Sequence, residues 1–511
     1  MTGQETYNAA TDFVDRNIAE GHGDRTAFID PERAMTYAEL ASSTRRLANA
    51  LGGLDVRRET RIGILMLDTV DWPVVFWGAI RAGVIPVAFN TLLTAPQYDY
   101  MLRDSRAEVL FVSAQLLPAV EPILNDLADL RHVVVSGGQA GAHLSLQDLL
   151  AAQDDEFETA ATIADEEAFW LYSSGSTGAP KGVRHVHSSL MYTARYYGKG
   201  VLGVTADDVV LSAAKLFFAY GLGNAMTFPM SVGATAVLYP GRPTPQSVFE
   251  NLKTHNPTLF FGVPTLYAAM LADPDCAPEN GSNALRLCVS AGEALPQDVG
   301  TAWKAKFGVD ILDGIGSTEM LHIFLSNSPG ALRYGTSGKA FPGYELRLAD
   351  EDGNDPGDGE IGELLVDGGS AANGYWNKRD KTRSTFEGRW TRTGDKYIRD
   401  ADGFYHYCGR TDDMFKVSGI WVSPFEVEQA LVSHASVLEA AVVAKEDQEG
   451  LTKPQAFVVL NDGIDQAGLF DELKDHVKSS IGAWKYPRWI EFVDELPKTA
   501  TGKIQRFKLR S

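Results

Sequence analysis

The segment Tyr172–Gly182 reads YSSGSTGAPKG, with three glycines, three serines, a threonine, a proline and a lysine in eleven residues. It follows the apolar run Ala168-Phe169-Trp170-Leu171, which has the length and character of a short buried strand. A strand that empties into small hydroxyl and glycine residues builds an anion cradle. Glycine lets the backbone approach the ligand, successive N–H groups turn inward, and hydroxyls and a lysine add donors and charge. The common nucleotide loop G-x-x-x-x-G-K-[ST] is excluded. Counting from Gly175, Pro180 stands before Lys181 and Gly182 stands after it.

The flanking sequence supplies a sheet for such a loop. Thr36 and Glu39 form a capping box ahead of a helical pattern through Leu51. Arg61–Leu67 is an apolar run of strand length. Asp71–Arg81 reads as a helix closed by Gly83, and Val84–Phe89 is the next strand. This is a βαβ unit, so the strands pair in parallel. Val109–Val112, His132–Val135, Val209–Leu211, Ala234–Leu238, Thr258–Phe261 and Leu285–Val289 continue the alternation. The expected class is α/β, with a large N-terminal domain of several subdomains and more than one sheet.

Composition narrows the partners. The 511 residues carry 46 basic and 67 acidic side chains, a net charge of −21. A general nucleic-acid binder is therefore disfavoured, and anionic ligands must be met by local donors. The cysteines Cys276, Cys288 and Cys408 are odd in number and widely spaced. They outline no zinc site and fit a reducing cytoplasm. The N-terminus MTGQETYNAATDF has no signal-peptide pattern, and no apolar run is long enough to span a membrane.

The character changes after about residue 340. Turn signals crowd Glu351–Gly359, and β-like runs such as Gly362–Val366 alternate with them. Asp412-Asp413 then precedes a compact segment with its own strand and helix signals at Ser423–Leu431, Val437–Ala444, Gln455–Leu460, Leu469–Ser479 and Trp489–Val493. The expected domains are 1–411 and a small mobile α+β domain at 412–511.

Four further segments fall into one pattern with the loop: Asp313–Glu319 (DGIGSTE), Thr393–Asp395 (TGD), Gly409–Glu428 (GRTDDMFKVSGIWVSPFEVE) and Pro497–Lys503 (PKTATGK). Their order and spacing resemble the acyl- and aryl-CoA synthetase branch of the adenylate-forming enzymes, over nearly the whole chain. Lys215–Gly223 (KLFFAYGLG) and Ser317–Asn327 (STEMLHIFLSN) resemble the benzoate-CoA and 4-hydroxybenzoate-CoA ligases within it.

The resemblance implies a reaction in two halves. A carboxylate attacks the α-phosphate of Mg²⁺-ATP, giving an acyl-adenylate and pyrophosphate. The thiol of coenzyme A then displaces AMP. A carboxylate is ionised at neutral pH, so the first half needs positioning and charge neutralisation, not a general base. The resemblance places Ser173, Ser174, Gly175, Ser176, Thr177, Gly178 and Lys181 at the ATP phosphates. Gly292, Glu293 and Ala294, with Asp313 and Gly314, border the adenine. Thr318 meets the α-phosphate, and Glu319 holds Mg²⁺ through carboxylate oxygen. Asp395 and Arg410 serve the ribose. Lys503 bridges the acid and the α-phosphate. Asp412 is the hinge of a swing that presents Lys416, Ser418 and Gly419 to coenzyme A and its thioester step.

The acid pocket is assigned by the same resemblance to Phe218, Ala219, Tyr220, Gly316 and His322. Gly221 and Gly223 suggest room for a ligand beside the aromatic run. The acid expected is benzoate, with 4-hydroxybenzoate or another small ring acid as the alternative. A stand-alone adenylation enzyme that loads a carrier protein is a more distant one. The expected partners are the aromatic carboxylate, no nucleic acid and no membrane, while a homodimer stays open. Lys503 lies in a P-x-x-x-x-G-K context resembling that of synthetases controlled by a lysine acetyltransferase and deacetylase.

Overall fold

The computed structural model describes residues 5–175, 178–417, 420–448, 451–482, 485–498 and 504–510. Ser176, Thr177, Ser418, Gly419 and Lys503 lie outside them. The chain forms two compact units. The first comprises Met1–Ser174, Pro180–Glu345 and Val366–Thr391, and the second Gly175–Ala179, Leu346–Leu365 and Arg392–Ser511.

Two open sheets organise the first unit. One has eight strands, and its central members run Glu167–Gly175, Ile85–Ala88, Arg61–Leu65, Val109–Ser113 and His132–Ser136, all parallel. These strands are buried on both faces, so they read as continuous apolar runs and not as alternating ones. The second sheet has nine strands. Thr235–Val237, Val209–Ser212, Leu259–Gly262, Leu287–Ser290 and Ile311–Gly316 form its parallel centre. Its antiparallel continuation is Ile323–Ser326. The expected βαβ alternation is present, and the chain is α/β as expected.

The helices seat where the sequence signals fall. Tyr37–Gly53 begins at the Thr36–Glu39 capping box, with both reciprocal bonds formed. Asp71–Arg81 is buried over its entire length, and Gly83 follows it at φ +71°. Gly78 lets this helix approach its neighbour. A Cβ there would stand 2.6 Å from Leu47 Cδ2.

The second unit holds more than the 412–511 segment expected from sequence. Residues 395–399 pair with 405–410, and Tyr407 meets Phe425 of helix Pro424–Val432 edge-to-face at 5.0 Å. That packing carries the preceding strands into the unit. Beyond residue 412, Val437–Glu446 and Thr452–Leu460 pair antiparallel, and Trp489–Phe492 joins in parallel. Helices Pro424–Val432 and Leu469–Ile481 close this small α+β core over Val427, Leu431, Val442, Val458, Leu473 and Val477.

Candidate active site

Ligand groups in open α/β sheets gather beyond the carboxyl ends of the parallel strands. The predicted residues of the first unit follow this rule. Strand Glu167–Gly175 carries the first part of the glycine-serine segment, and the chain returns as Gly178–Val186. The returning arm is a strand, although its Pro-Lys-Gly sequence reads as loop. Helix Ala95–Ser105 grips both arms. Tyr172 donates to Asp104 Oδ2 at 2.7 Å, and Tyr100 donates to Pro180 O at 3.2 Å. Trp376 Nε1 donates to Asp104 O at 2.8 Å. Ser173 Oγ is buried with no hydrogen-bond partner among the described residues.

The second cluster is the turn that joins Ile311–Gly316 to Ile323–Ser326. Thr318 O accepts from His185 Nε2 at 2.8 Å and from Leu321 N at 3.1 Å. Leu321 sits at φ +67° to make that turn. Burial pushes His185 down to about 4, so the ring is neutral and donates from Nε2. Glu319 Oε1 accepts from Tyr375 at 2.8 Å, and Lys181 Nζ lies 4.6 Å from the centre of the same ring. The structure thus joins Lys181 to Glu319 through one phenol. Gly316 has no space for a side chain. A Cβ there would lie 2.5 Å from His322 O.

His322 closes the same turn. Its ring is 2 % exposed and packs on Phe228, Tyr197 and Tyr220, with centroids at 4.5, 5.4 and 5.6 Å. Nε2 faces Tyr220 O at 3.2 Å and Asn224 Oδ1 at 3.1 Å, so it carries the hydrogen. Burial depresses this imidazole to about 3. The Tyr220 hydroxyl is already committed to Gly262 O and Val289 O, each at 3.2 Å. Phe218 is half-buried and tilts against Phe217 at 4.3 Å, and Ala219 is buried. Gly221 and Gly223 do not open space for a ligand. A Cβ on Gly221 would meet Lys215 O at 2.0 Å, and one on Gly223 would meet His322 Cδ2 at 2.3 Å. Protein atoms use the room that these glycines leave.

Beyond strand Leu287–Ser290, Gly292 turns at φ +95°. It and Glu293 are exposed, and Ala294 is half-buried. Asp313 is buried in strand Ile311–Gly316, and desolvation lifts its carboxyl well above the usual range. Its Oδ1 has no partner among the described residues. Gly314 is hemmed in by Ile323 and Ser326, with both contacts at 3.0 Å from a built Cβ.

In the second unit, Asp395 and Arg410 are cross-strand partners with an ion pair of 3.1 Å. Arg410 also donates to Thr393 O at 3.1 Å. Gly394 makes this possible, because a Cβ there would lie 2.9 Å from the guanidinium. Lys416 pairs with Glu351 at 2.9 Å. Arg510 donates to Asp412 O at 3.1 Å and to Asp413 Oδ1 at 2.5 Å.

Sequence reasoning passed over His185, Tyr375 and Asn224. His185 stands within the strand that returns from the loop, and an H-x-H at 185–187 was its only signal. Tyr375 follows Gly374 far along the chain, and nothing local marks it. Asn224 lies two residues beyond the aromatic run's Leu222 and is fully buried.

Comparison with known proteins shows the family. Residues 15–376 match the model of the AMP-binding enzyme family, and residues 426–503 match the AMP-binding enzyme C-terminal domain. The chain is 60 % identical over 506 residues to the 4-hydroxybenzoate–CoA/benzoate–CoA ligase of Rhodopseudomonas palustris, covering 99 % of this chain and 94 % of that protein. It is 58 % identical over 510 residues to the benzoate–CoA ligase of Thauera aromatica, covering 99 % and 96 %. The crystal structure of a benzoate CoA ligase from Burkholderia xenovorans LB400 superposes with a TM-score of 0.91 at 51 % identity, covering 99 % of this chain and all of that one. The anthranilate CoA ligase AuaEII, solved with anthranoyl-AMP, superposes at 0.93 with 46 % identity, covering 99 % and 96 %.

Proposed function

This chain belongs to the AMP-binding enzyme family, and from that premise we propose that it ligates benzoate to coenzyme A through a benzoyl-adenylate, releasing AMP and pyrophosphate. It is an acid–thiol ligase of the AMP-forming type. One observation carries the choice of acid. A single turn holds Gly316, Thr318, Glu319 and His322, so the phosphate-side residues and the aromatic wall are fixed in one short stretch. An aromatic wall of that kind suits a small ring acid whose carboxylate must meet the α-phosphate.

In the first half-reaction a benzoate oxygen bonds to the α-phosphorus and the bond to pyrophosphate breaks. The chain's work is to position the two anions and to meet the charge that develops on phosphate oxygen. Thr318 and the loop donors take the phosphates, with Ser173 Oγ as one hydroxyl left unpartnered for that use. The donor set fits Mg²⁺, which takes one or two carboxylates and completes its shell from phosphate and water oxygens. Glu319 is such a carboxylate, and the described residues contain no group of three or more acidic, histidine or cysteine side chains arranged for a metal. Bound there, Mg²⁺ would neutralise charge on the phosphates. The orphaned Asp313 Oδ1 fits an exocyclic amino group, as adenine carries. Asp395 and Arg410 take the ribose.

In the second half-reaction the sulfur of coenzyme A bonds to the acyl carbon and AMP leaves. Lys503 serves the first half and Lys416, Ser418 and Gly419 the second, with rotation at Asp412 between them. The working domains on this reading are 1–411 and 412–511. Lys503 is a candidate for reversible acetylation, which would remove its charge. A homodimer is compatible with the reading. Among the described residues no helix is long and apolar enough to cross a membrane, and the three cysteines are free and buried, as suits a cytoplasmic enzyme.

The deciding experiment measures AMP and pyrophosphate from ATP and coenzyme A over benzoate, hydroxy-, amino- and fluorobenzoates, cyclohexanecarboxylate and short fatty acids. Benzoate should lead in kcat/KM. A short fatty acid at the head of the series would refute the aromatic pocket.

The buried wall also supports a second acid. His322 Nδ1 and Asn224 Nδ2 are buried polar atoms with no partner among the described residues. Such atoms favour a ring bearing a hydroxyl, so 4-hydroxybenzoate is the runner-up.

A further inference from the structure

Asp68 lies between strand Arg61–Leu65 and helix Asp71–Arg81, beyond the carboxyl end of the eight-stranded sheet. It is 4 % exposed. Both of its oxygens accept from Leu216 N–H, at 3.3 and 3.2 Å. Leu216 lies in the loop that follows strand Val209–Ser212 of the other sheet, and it is followed at once by Phe217, Phe218, Ala219 and Tyr220. This single side chain therefore ties one sheet to the start of the aromatic wall carried by the other.

The tie has little slack at either end. Leu67 N donates to Ser113 Oγ at 3.0 Å and Val70 N to Asp30 Oδ2 at 2.9 Å, so the backbone on both sides of Asp68 is held. Across the gap, Phe218 N donates to Lys215 O at 3.0 Å and Leu222 N to Phe218 O at 2.8 Å. Gly221 packs so closely on Lys215 O that any side chain there would collide. Displacing Leu216 must therefore move Phe218 to Tyr220 with it. Lys215 itself is anchored through Nζ to Tyr239 O and lies 5.2 Å from that ring's centre.

We propose that Asp68 is a positioning residue for the acid substrate, holding the Lys215–Tyr220 loop so that the aromatic wall meets the ring of the bound acid. The role rests on the reading of Phe218, Ala219 and Tyr220 as the acid pocket.

The electrostatics add a signature. Burial pushes the Asp68 carboxyl up to about 6, against the pull of the Lys215 ammonium and the Leu216 N–H. Lys215 is lowered by its own burial. Lys215 is the charged group that reaches Asp68 from the facing loop. On its own stretch, Asp71 is engaged by Arg33 and Ser136, and Asp30 caps Val70 N. Asp68 therefore loses its charge at a pH where benzoate is still ionised.

The test compares D68N and D68A with wild type, reading KM for benzoate, KM for ATP and kcat from about pH 5.5 to 8, with thermal unfolding alongside. Asparagine keeps an acceptor for Leu216 N–H but loses the charge opposite Lys215. D68N should raise KM for benzoate about three- to tenfold while KM for ATP and kcat stay within about twofold. The decline of kcat/KM for benzoate below about pH 6 should vanish. D68A strands the buried N–H and should raise KM for benzoate about 10- to 100-fold. If D68A fails to fold, D68N decides. KM for benzoate and ATP rising together, a D68N profile identical to wild type, or a D68N protein that does not fold would each overturn the proposal. Should wild type prefer another aromatic acid, the benzoate assignment fails on its own. The same comparison of KM values is then read with that acid.

Discussion

Tyr375 donates its phenolic hydrogen to Glu319 Oε1 at 2.8 Å, and Lys181 stands over the same ring at 4.6 Å. A carboxylate proposed to hold Mg²⁺ and a lysine proposed to hold phosphate therefore share one aromatic side chain. The hydroxyl orients Glu319, and the ring face steadies the ammonium. Tyr375→Phe keeps the ring and removes the donor. It should lower kcat/KM for pyrophosphate release about tenfold and raise the Mg²⁺ concentration needed for half-maximal rate. Glu319→Gln should cost more, about 10²-fold. A Mg²⁺ titration of both variants checks this, and an unchanged Mg²⁺ requirement in Tyr375→Phe would exclude an orienting role.

The buried imidazoles make a pH prediction for stability. His185, His187 and His322 are each lowered by burial, to about 4, 4 and 3. In the unfolded chain a histidine titrates near 6.5. Above that pH both states are neutral and nothing changes. Below it the unfolded chain gains protons that the folded chain refuses, so stability is lost as pH falls toward the folded values. Each ring contributes up to about 1.4 kcal/mol per pH unit within that window. The measurement is Tm from pH 7.5 down to 4.5, with His322→Gln reducing the slope.

Much of the fold was legible because parallel strands buried on both faces leave unbroken apolar runs. Val109–Ser113 and His132–Ser136 stand out for that reason. The Thr36 capping box and Gly83 after Arg81 marked helix ends through backbone chemistry that is local in sequence. The returning strand Gly178–Val186 was not legible, since its glycine and proline suppress every strand signal while pairing with its neighbour supplies the order. In the candidate site, residues inside contiguous motifs, such as Thr318 and Glu319, are the ones a sequence can put forward as candidates. His185, Tyr375, Asn224 and Asp68 act across 133, 56, 98 and 148 residues of chain, and such long contacts leave no local trace. Gly221 and Gly223 misled because a missing side chain signals close approach without saying whether ligand or protein fills the room.

Lys503→Ala should nearly abolish the first half-reaction. Removing one preorganised donor to developing charge costs about 10²–10³-fold, and a cation more. The second half-reaction, started from pre-formed benzoyl-adenylate and coenzyme A, should suffer far less. Equal losses in both halves would remove Lys503 from its assigned role.

Asp412→Pro should separate the half-reactions in the opposite sense. Proline fixes φ near −65° and blocks rotation at that residue. Adenylation should persist while thioester formation collapses. Arg510 holds Asp412 O in the structure, so Arg510→Ala serves as a companion that alters the contact without restricting φ. Wild-type rates for both halves in Asp412→Pro would show that the rotation lies elsewhere.

The ratio of benzoate to 4-hydroxybenzoate tests the end of the pocket. A buried hydroxyl without a partner costs about 1–3 kcal/mol, so a para-hydroxyl is welcome only where a polar atom waits. The Tyr220 hydroxyl is spent on Gly262 O and Val289 O, and His322 Nε2 is spent on Tyr220 O and Asn224 Oδ1. The Tyr220 oxygen can still accept, and two buried nitrogens, His322 Nδ1 and Asn224 Nδ2, have no hydrogen-bond partner among the described residues. Since most of the polar capacity is committed to the protein, benzoate should lead in kcat/KM. Apolar pockets reject an added hydroxyl by only about 10²-fold at best, so 4-hydroxybenzoate should still react. His322→Ala removes the unpartnered Nδ1 and frees Asn224. It should lower activity with 4-hydroxybenzoate more than with benzoate, and Asn224→Ala should do so less. A wild-type preference for 4-hydroxybenzoate that His322→Ala abolishes would reverse the assignment and make the hydroxylated acid the substrate.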